Sequence, residues 1–150
     1  MKKLLFICVI LMFIGISSVF AQRKSVSGAE VTGTFINNFN GKFKDFSNEI
    51  DIKALGGGKL QISMSLIYPF EYAKGEMTAN MGDAEGKATI VGDTAIFTPD
   101  GTDTCKITIK FVKAGTIKVT EDGGENGCGF GHNVYSAGTY KKVSGKKPKI

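Results

Sequence analysis

The chain has 150 residues, 42% of them hydrophobic and 22% charged, with a net charge of +5 at neutral pH. That balance excludes wholesale disorder, and 20 glycines without a G-X-Y period exclude a collagen-like rod. One His, three Cys and no Trp leave little material for a catalytic set or a metal cluster, and the length suits one domain with one core.

The chain opens with Lys2 and Lys3, followed by an unbroken apolar run over residues 4–16. Val19 and Ala21 then stand at the −3 and −1 positions of a cleavage site. This three-part layout predicts a secretory signal peptide over residues 1–21, cut near Ala21-Gln22. The run is shorter than the roughly 20 apolar residues a membrane span needs, so no transmembrane span is expected in the mature form. Cys8 lies inside the run rather than after small residues, a poor place for a lipid anchor. The expectation is a soluble protein, secreted or periplasmic, most simply bacterial, with its domain over residues 22–143 and a basic tail over 144–150.

Beyond the leader the recurring period is two. In Leu60-Gln61-Ile62-Ser63-Met64-Ser65-Leu66 every even residue is apolar, and in Cys105-Lys106-Ile107-Thr108-Ile109-Lys110-Phe111 every odd one is. Ile50 and Ile52, and Ile117 and Val119, alternate with polar neighbours in the same way. Such alternation marks strands with one face in a core and one in water, and it favours antiparallel pairing. Eight strands are expected, at 31–36, 48–55, 59–68, 85–91, 94–99, 105–112, 116–121 and 134–143. Gly-containing connections of hairpin length separate several of them. A short helical turn is expected within 37–47, and Pro69 is expected to end the third strand. The fold class is therefore all-β: a single antiparallel up-and-down barrel of about eight strands, or a two-sheet β-sandwich as the competitor. Gly33-Thr34-Phe35 in the first strand and Gly138-Thr139-Tyr140 in the last echo one another and are candidates to pair and seal the barrel.

Two cysteines remain after the leader, Cys105 and Cys128. In an oxidising compartment they most simply form one disulfide, with two free thiols, or a catalytic thiol, as the alternative. Removing Lys2 and Lys3 takes the charge from +5 to +3, and removing the five lysines of the last ten residues takes it to −2. The basicity thus reads as a property of the tail. It is expected either to be a solvated end or to hold a cell-envelope polyanion. Export and the lack of a basic face on the body argue against nucleic acid.

No catalytic residues, cofactor or metal site are assigned. His132 is the sole His, no G-x-S-x-G elbow occurs, and neither Asp100-Gly101-Thr102-Asp103 nor the acidic glycine turn at 121–126 matches a calcium loop. Two features remain as candidate binding sites. Gly127, Gly129 and Gly131 give the segment around Cys128 an unusual path. The segment is either a tight loop with Phe130 plugging the barrel end, or a partner-binding loop presenting Phe130, His132, Asn133, Tyr135 and Ser136. Tyr68, Phe70 and Tyr72 form an aromatic rim, either a lid on the core or the mouth of a small-ligand site.

The run Cys128-Gly129-Phe130-Gly131-His132-Asn133-Val134-Tyr135-Ser136-Ala137-Gly138-Thr139-Tyr140, with the alternating strand that begins at Cys105, resembles small secreted bacterial β proteins of largely unassigned role, some of them similar to periplasmic lysozyme inhibitors. The resemblance implies a small antiparallel barrel without enzymatic activity and a loop that blocks a lysozyme cleft. It departs from the Ser-Gly-x-x-Tyr inhibitor pattern by one residue inserted between Ser136 and Gly138, so inhibitory residues do not carry over one for one. The expected function is thus a secreted, non-enzymatic binding protein whose partner is a lysozyme or another extracellular protein. The alternatives are a small apolar ligand carrier and an envelope-associated structural protein.

Overall fold

The computed structural model describes residues 25–123 and 127–150. The expected leader, residues 1–21, and residues 124–126 of the acidic glycine turn lie outside the described residues. Eight strands follow one another: β1 Gly33–Asn38, β2 Ser47–Gly56, β3 Lys59–Ala73, β4 Glu76–Val91, β5 Thr94–Phe97, β6 Lys106–Lys113, β7 Thr116–Asp122 and β8 Gly138–Ser144. Each pairs antiparallel with the next, and β8 returns to β1, closing the barrel. The sandwich is therefore excluded, and among the described residues unpaired edge remains only where the β3–β4 hairpin outruns its neighbours.

The inward residues are those the alternation marks. Phe35, Ile50, Ile52, Ile62, Phe97, Ile107, Ile109, Ile117 and Tyr140 have no exposed surface, and Leu60, Met64 and Leu66 almost none. Phe35 meets Phe111 edge-to-face at 6.2 Å between ring centroids. An eight-stranded barrel is just wide enough for such side chains to fill it. Across the β3–β4 ladder large residues face small ones: Leu60 opposite Ala88, Ile62 opposite Gly86, Met64 opposite Ala84, Leu66 opposite Gly82. That complementarity explains why β4 carries so little apolar alternation of its own.

Several boundaries differ from the sequence reading. β3 runs on past Pro69, which pairs with Ala79. The ladder to β2 has already ended at Ser65, so β3 is an edge at this level and tolerates the missing N–H. β4 consequently begins at Glu76 rather than at residue 85, and β8 begins at Gly138 rather than at 134. The barrel seals through β1 and β8, but Gly138, Thr139 and Tyr140 face β7, while Thr34, Phe35 and Ile36 meet Ser144, Lys142 and Lys141. The expected helical turn is the 3₁₀ turn Gly41–Phe43. A second turn, α1 (Gly28–Val31), was not anticipated, and it takes the residue at which the first strand was expected to begin. The Ser27 hydroxyl accepts from the Glu30 N–H, and the Glu30 carboxylate accepts from the Ser27 N–H, a capping box.

The up-and-down path sorts the connections. One end carries three tight turns, after β2, β4 and β6, stitched together by bonds from Ile90 N to Gly58 O and from Phe111 N to Asp93 O. Val31 plugs this end, and Lys142 Nζ ties α1 down by donating to the carbonyls of Ala29 and Glu30. Burial pushes the Lys142 ammonium below its usual value, partly offset by Glu30. The tail is not a loose end: Pro148 and Ile150 are half-buried, and Lys53 Nζ donates to the Ile150 carbonyl. The other end carries the long connections, 39–46, 98–105 and 123–137, and the protruding half of the β3–β4 hairpin.

Candidate functional site

The site is built at the long-loop end. Cys105 and Cys128 are joined, with Cα atoms 4.8 Å apart, so the start of β6 holds the connection that follows β7. Gly127, Gly129 and Gly131 all have positive φ, as expected, and so does Asn133 at 59°. The resulting path lays the loop on β4. β5 covers only Ala88 to Val91 of β4, leaving the strand's middle free to receive loops. Asp100 N donates to Glu85 O there, and Asn80 Nδ2 donates to His132 O at 2.8 Å. Gly82 makes the seat possible. A Cβ on it would lie 2.7 Å from Phe130 Cβ and closer still to the Phe130 carbonyl oxygen.

A buried polar network fixes the other side of the loop. The Glu121 carboxylate on β7 accepts from both the N–H and the hydroxyl of Ser136. The Ser136 carbonyl accepts from the Tyr140 hydroxyl at 2.8 Å, and Asn48 also bonds that hydroxyl while accepting from Ile67 N. Four segments distant in sequence are thereby locked together. Burial, the dominant cause, and the charge of Glu121 push the Tyr140 hydroxyl well above the usual phenol value, against the opposing effect of the Asn48 bond. Glu121 and Asn48 were not singled out from sequence, and Tyr140 was read only as part of the closing-strand echo and of the resemblance. The Ser136-to-Tyr140 spacing was the only available signal, and its physical content is this bond.

The two sets of candidate residues converge. Tyr68, Phe70, Asn80, His132 and Asn133 line one pocket of about 330 Å³, and Tyr68, Asn133 and Tyr135 share a second with Asn37, Phe39 and Ala137. Within the loop the residues divide by role. Phe130 is 8% exposed and Ser136 fully buried, so these two anchor the loop rather than face a partner. His132, Asn133 and Tyr135 are exposed. The hairpin adds exposed Tyr68, Tyr72, Met77 and Met81. The two methionines escaped the sequence reading because the outer half of β4 did not read as strand. Met77 and Met81 are opposite Glu71 and Ile67, on the other face of the hairpin from Tyr68 and Phe70, so the exposed aromatics alone form the patch beside the loop.

The same end is acidic. Among the described residues this end carries Asp45, Glu71, Glu76, Asp83, Glu85, Asp100 and Asp103, with Glu121 and Asp122 at the end of β7, beside Lys42, Lys44, Lys74 and Lys106. Asp83, Glu85 and Asp100 line a groove of about 470 Å³ whose wall includes Cys128, Gly129 and Phe130. Lys42 bonds Glu71 at 2.6 Å; that bond and one from the Gly75 N–H hold the Glu71 carboxyl below its usual range. Among the described residues no three of His, Cys, Asp or Glu converge as metal ligands, and no helix is long and apolar enough to cross a membrane.

Comparison with protein-family models, with curated proteins and with solved structures found no match to this chain.

Proposed function

We propose that the protein is a secreted, non-enzymatic binding module that engages a basic macromolecule through its long-loop end, with lysozyme inhibition as the sharpest form of that reading. The observation that carries it is convergence. The exposed residues of the disulfide-anchored loop and the aromatic rim of the β3–β4 hairpin meet in one patch beside an acidic groove. A body charge of −2 is a weak source of steering when averaged over the molecule. Gathered at one end, the carboxylates attract a cationic partner toward the patch. Tyr68 and Tyr135 supply the apolar contact, and the buried anchors hold the loop in one shape before binding.

The filled barrel interior favours contact at the rim over a ligand inside. A small apolar molecule, if carried, belongs in the pocket between Tyr68, Phe70 and His132, and a mass spectrum of an organic extract would reveal it. The test of the main reading is affinity for a panel of lysozymes and other basic extracellular proteins. Tyr135→Ala with Tyr68→Ala is expected to weaken binding at least thirtyfold, as removal of central aromatic contacts does. Unchanged affinity for every partner found would overturn the assignment of the patch.

A further inference from the structure

The barrel wall opposite in character to the acidic end is formed by β5 to β8. One outward row crosses the strands: Val91 opposite Thr94, Thr94 opposite Lys110, Lys110 opposite Lys118, and Lys118 opposite Thr139. A step toward the tight-turn end, Lys113 and Lys141 both flank Thr116. Aliphatic side chains lie among these lysines in the open: Val91, Ile96, Val112 and Val143 are 40–60% exposed. Asp93, in the turn after β4, lines a pocket with Val91, Thr94 and Lys110, and its carboxylate already accepts from the Thr94 hydroxyl. Directly opposed lysines such as Lys110 and Lys118 are unfavourable for the fold by itself. Against a negative plane the same arrangement is favourable.

We propose that this wall docks the protein on an anionic phospholipid surface. The lysines supply attraction to the headgroups, each worth about 1 kcal/mol near such a surface. The exposed valines and Ile96 supply a shallow apolar contact, which distinguishes a bilayer from a soluble polyanion. The C-terminal tail is not the docking element. It folds back from β8 to Lys53 on β2, away from β5 to β7. Docked by this wall, the barrel leaves its loop-bearing end exposed, so the inference stands apart from the reading of the patch.

The barrel closes within residues 33–144, so residues 22–150 carry the whole fold. Their sedimentation with phosphatidylcholine vesicles containing about one third phosphatidylglycerol is the test. Binding is expected to these vesicles, not to pure phosphatidylcholine, and to fade as salt rises. Lys110→Ala with Lys118→Ala is expected to lower the partition coefficient about thirtyfold. Val112→Ser with Val143→Ser is expected to weaken vesicle binding while leaving retention on a soluble sulfated polysaccharide unchanged. Truncation after Ser144 is expected to leave most of the binding in place. No binding to anionic vesicles, binding abolished by the truncation but untouched by the lysine pair, or vesicle binding indifferent to the valine pair would each overturn the proposal. The last result would point to a soluble polyanion instead.

Discussion

Replacing Gly82 by Ala isolates the steric fit between β4 and the loop. Gly82 does not need positive φ, so the substitution adds a methyl group and no backbone penalty. That methyl would sit 2.7 Å from Phe130 Cβ and 2.9 Å from its carbonyl carbon. Restoring van der Waals separation requires the loop backbone to retreat by roughly 1 Å. The loop has little freedom to do so, because Cys128 is tied to Cys105 on one side and His132 O to Asn80 on the other. The loss of that hydrogen bond costs about 1 kcal/mol. Partial unseating of Phe130 adds a fraction of the 3–5 kcal/mol that full truncation of a buried Phe costs. Together they predict a destabilisation of about 2–3 kcal/mol, read as a lowered urea midpoint at unchanged slope. Gly145→Ala, where a methyl meets open space, is the control and should change stability by less than about 0.5 kcal/mol. If Gly82→Ala behaved like the control, the claim that the loop is pinned to β4 would fail.

Other consequences follow from the same contacts. Tyr140→Phe strips the Ser136 carbonyl and Asn48 of a shared partner and should cost about 1–2 kcal/mol in urea unfolding; no loss would mean water replaces the hydroxyl. Cys105→Ala with Cys128→Ala opens the link across 23 residues and should cost about 3 kcal/mol, with faster amide exchange over residues 127–136. Carbon-detected titration should place the Glu71 carboxyl below the usual carboxylate range, and Lys42→Ala should move it back up. Because the folded value lies below the unfolded one, the small stability this pair adds is present above the unfolded value. It disappears as pH falls through the folded value.

How much of this was legible depended on which interactions are local. The period-two runs at 60–66 and 105–111 named their inward residues correctly, because alternation is a property of a single strand. Residues 77–82 gave no such pattern. Their inward positions, Thr78, Asn80 and Gly82, face the rim and the loop rather than the core, so nothing selected apolar side chains there. Pro69 misled for a related reason, since its tolerance depends on where the ladder to β2 stops. The network of Asn48, Ile67, Glu121, Ser136 and Tyr140 joins four separated segments, and only its Ser136-to-Tyr140 step is local in sequence. Charge was misjudged in distribution rather than in sum. Lysines on β6, β7 and β8 and the carboxylates of the β3–β4 hairpin, the end of β7 and the 98–105 connection are mixed along the sequence and are separated only by the up-and-down path.

The measurement that bears most directly on the central claim is a titration of cell-wall lysis by several types of lysozyme with oxidised residues 22–150. The account predicts that at least one type is inhibited at stoichiometric concentration, that inhibition weakens as salt rises, and that Tyr135→Ala with Tyr68→Ala relieves it. Undiminished lysis by every type at excess protein would contradict lysozyme as the partner, while inhibition indifferent to those two tyrosines would contradict the patch.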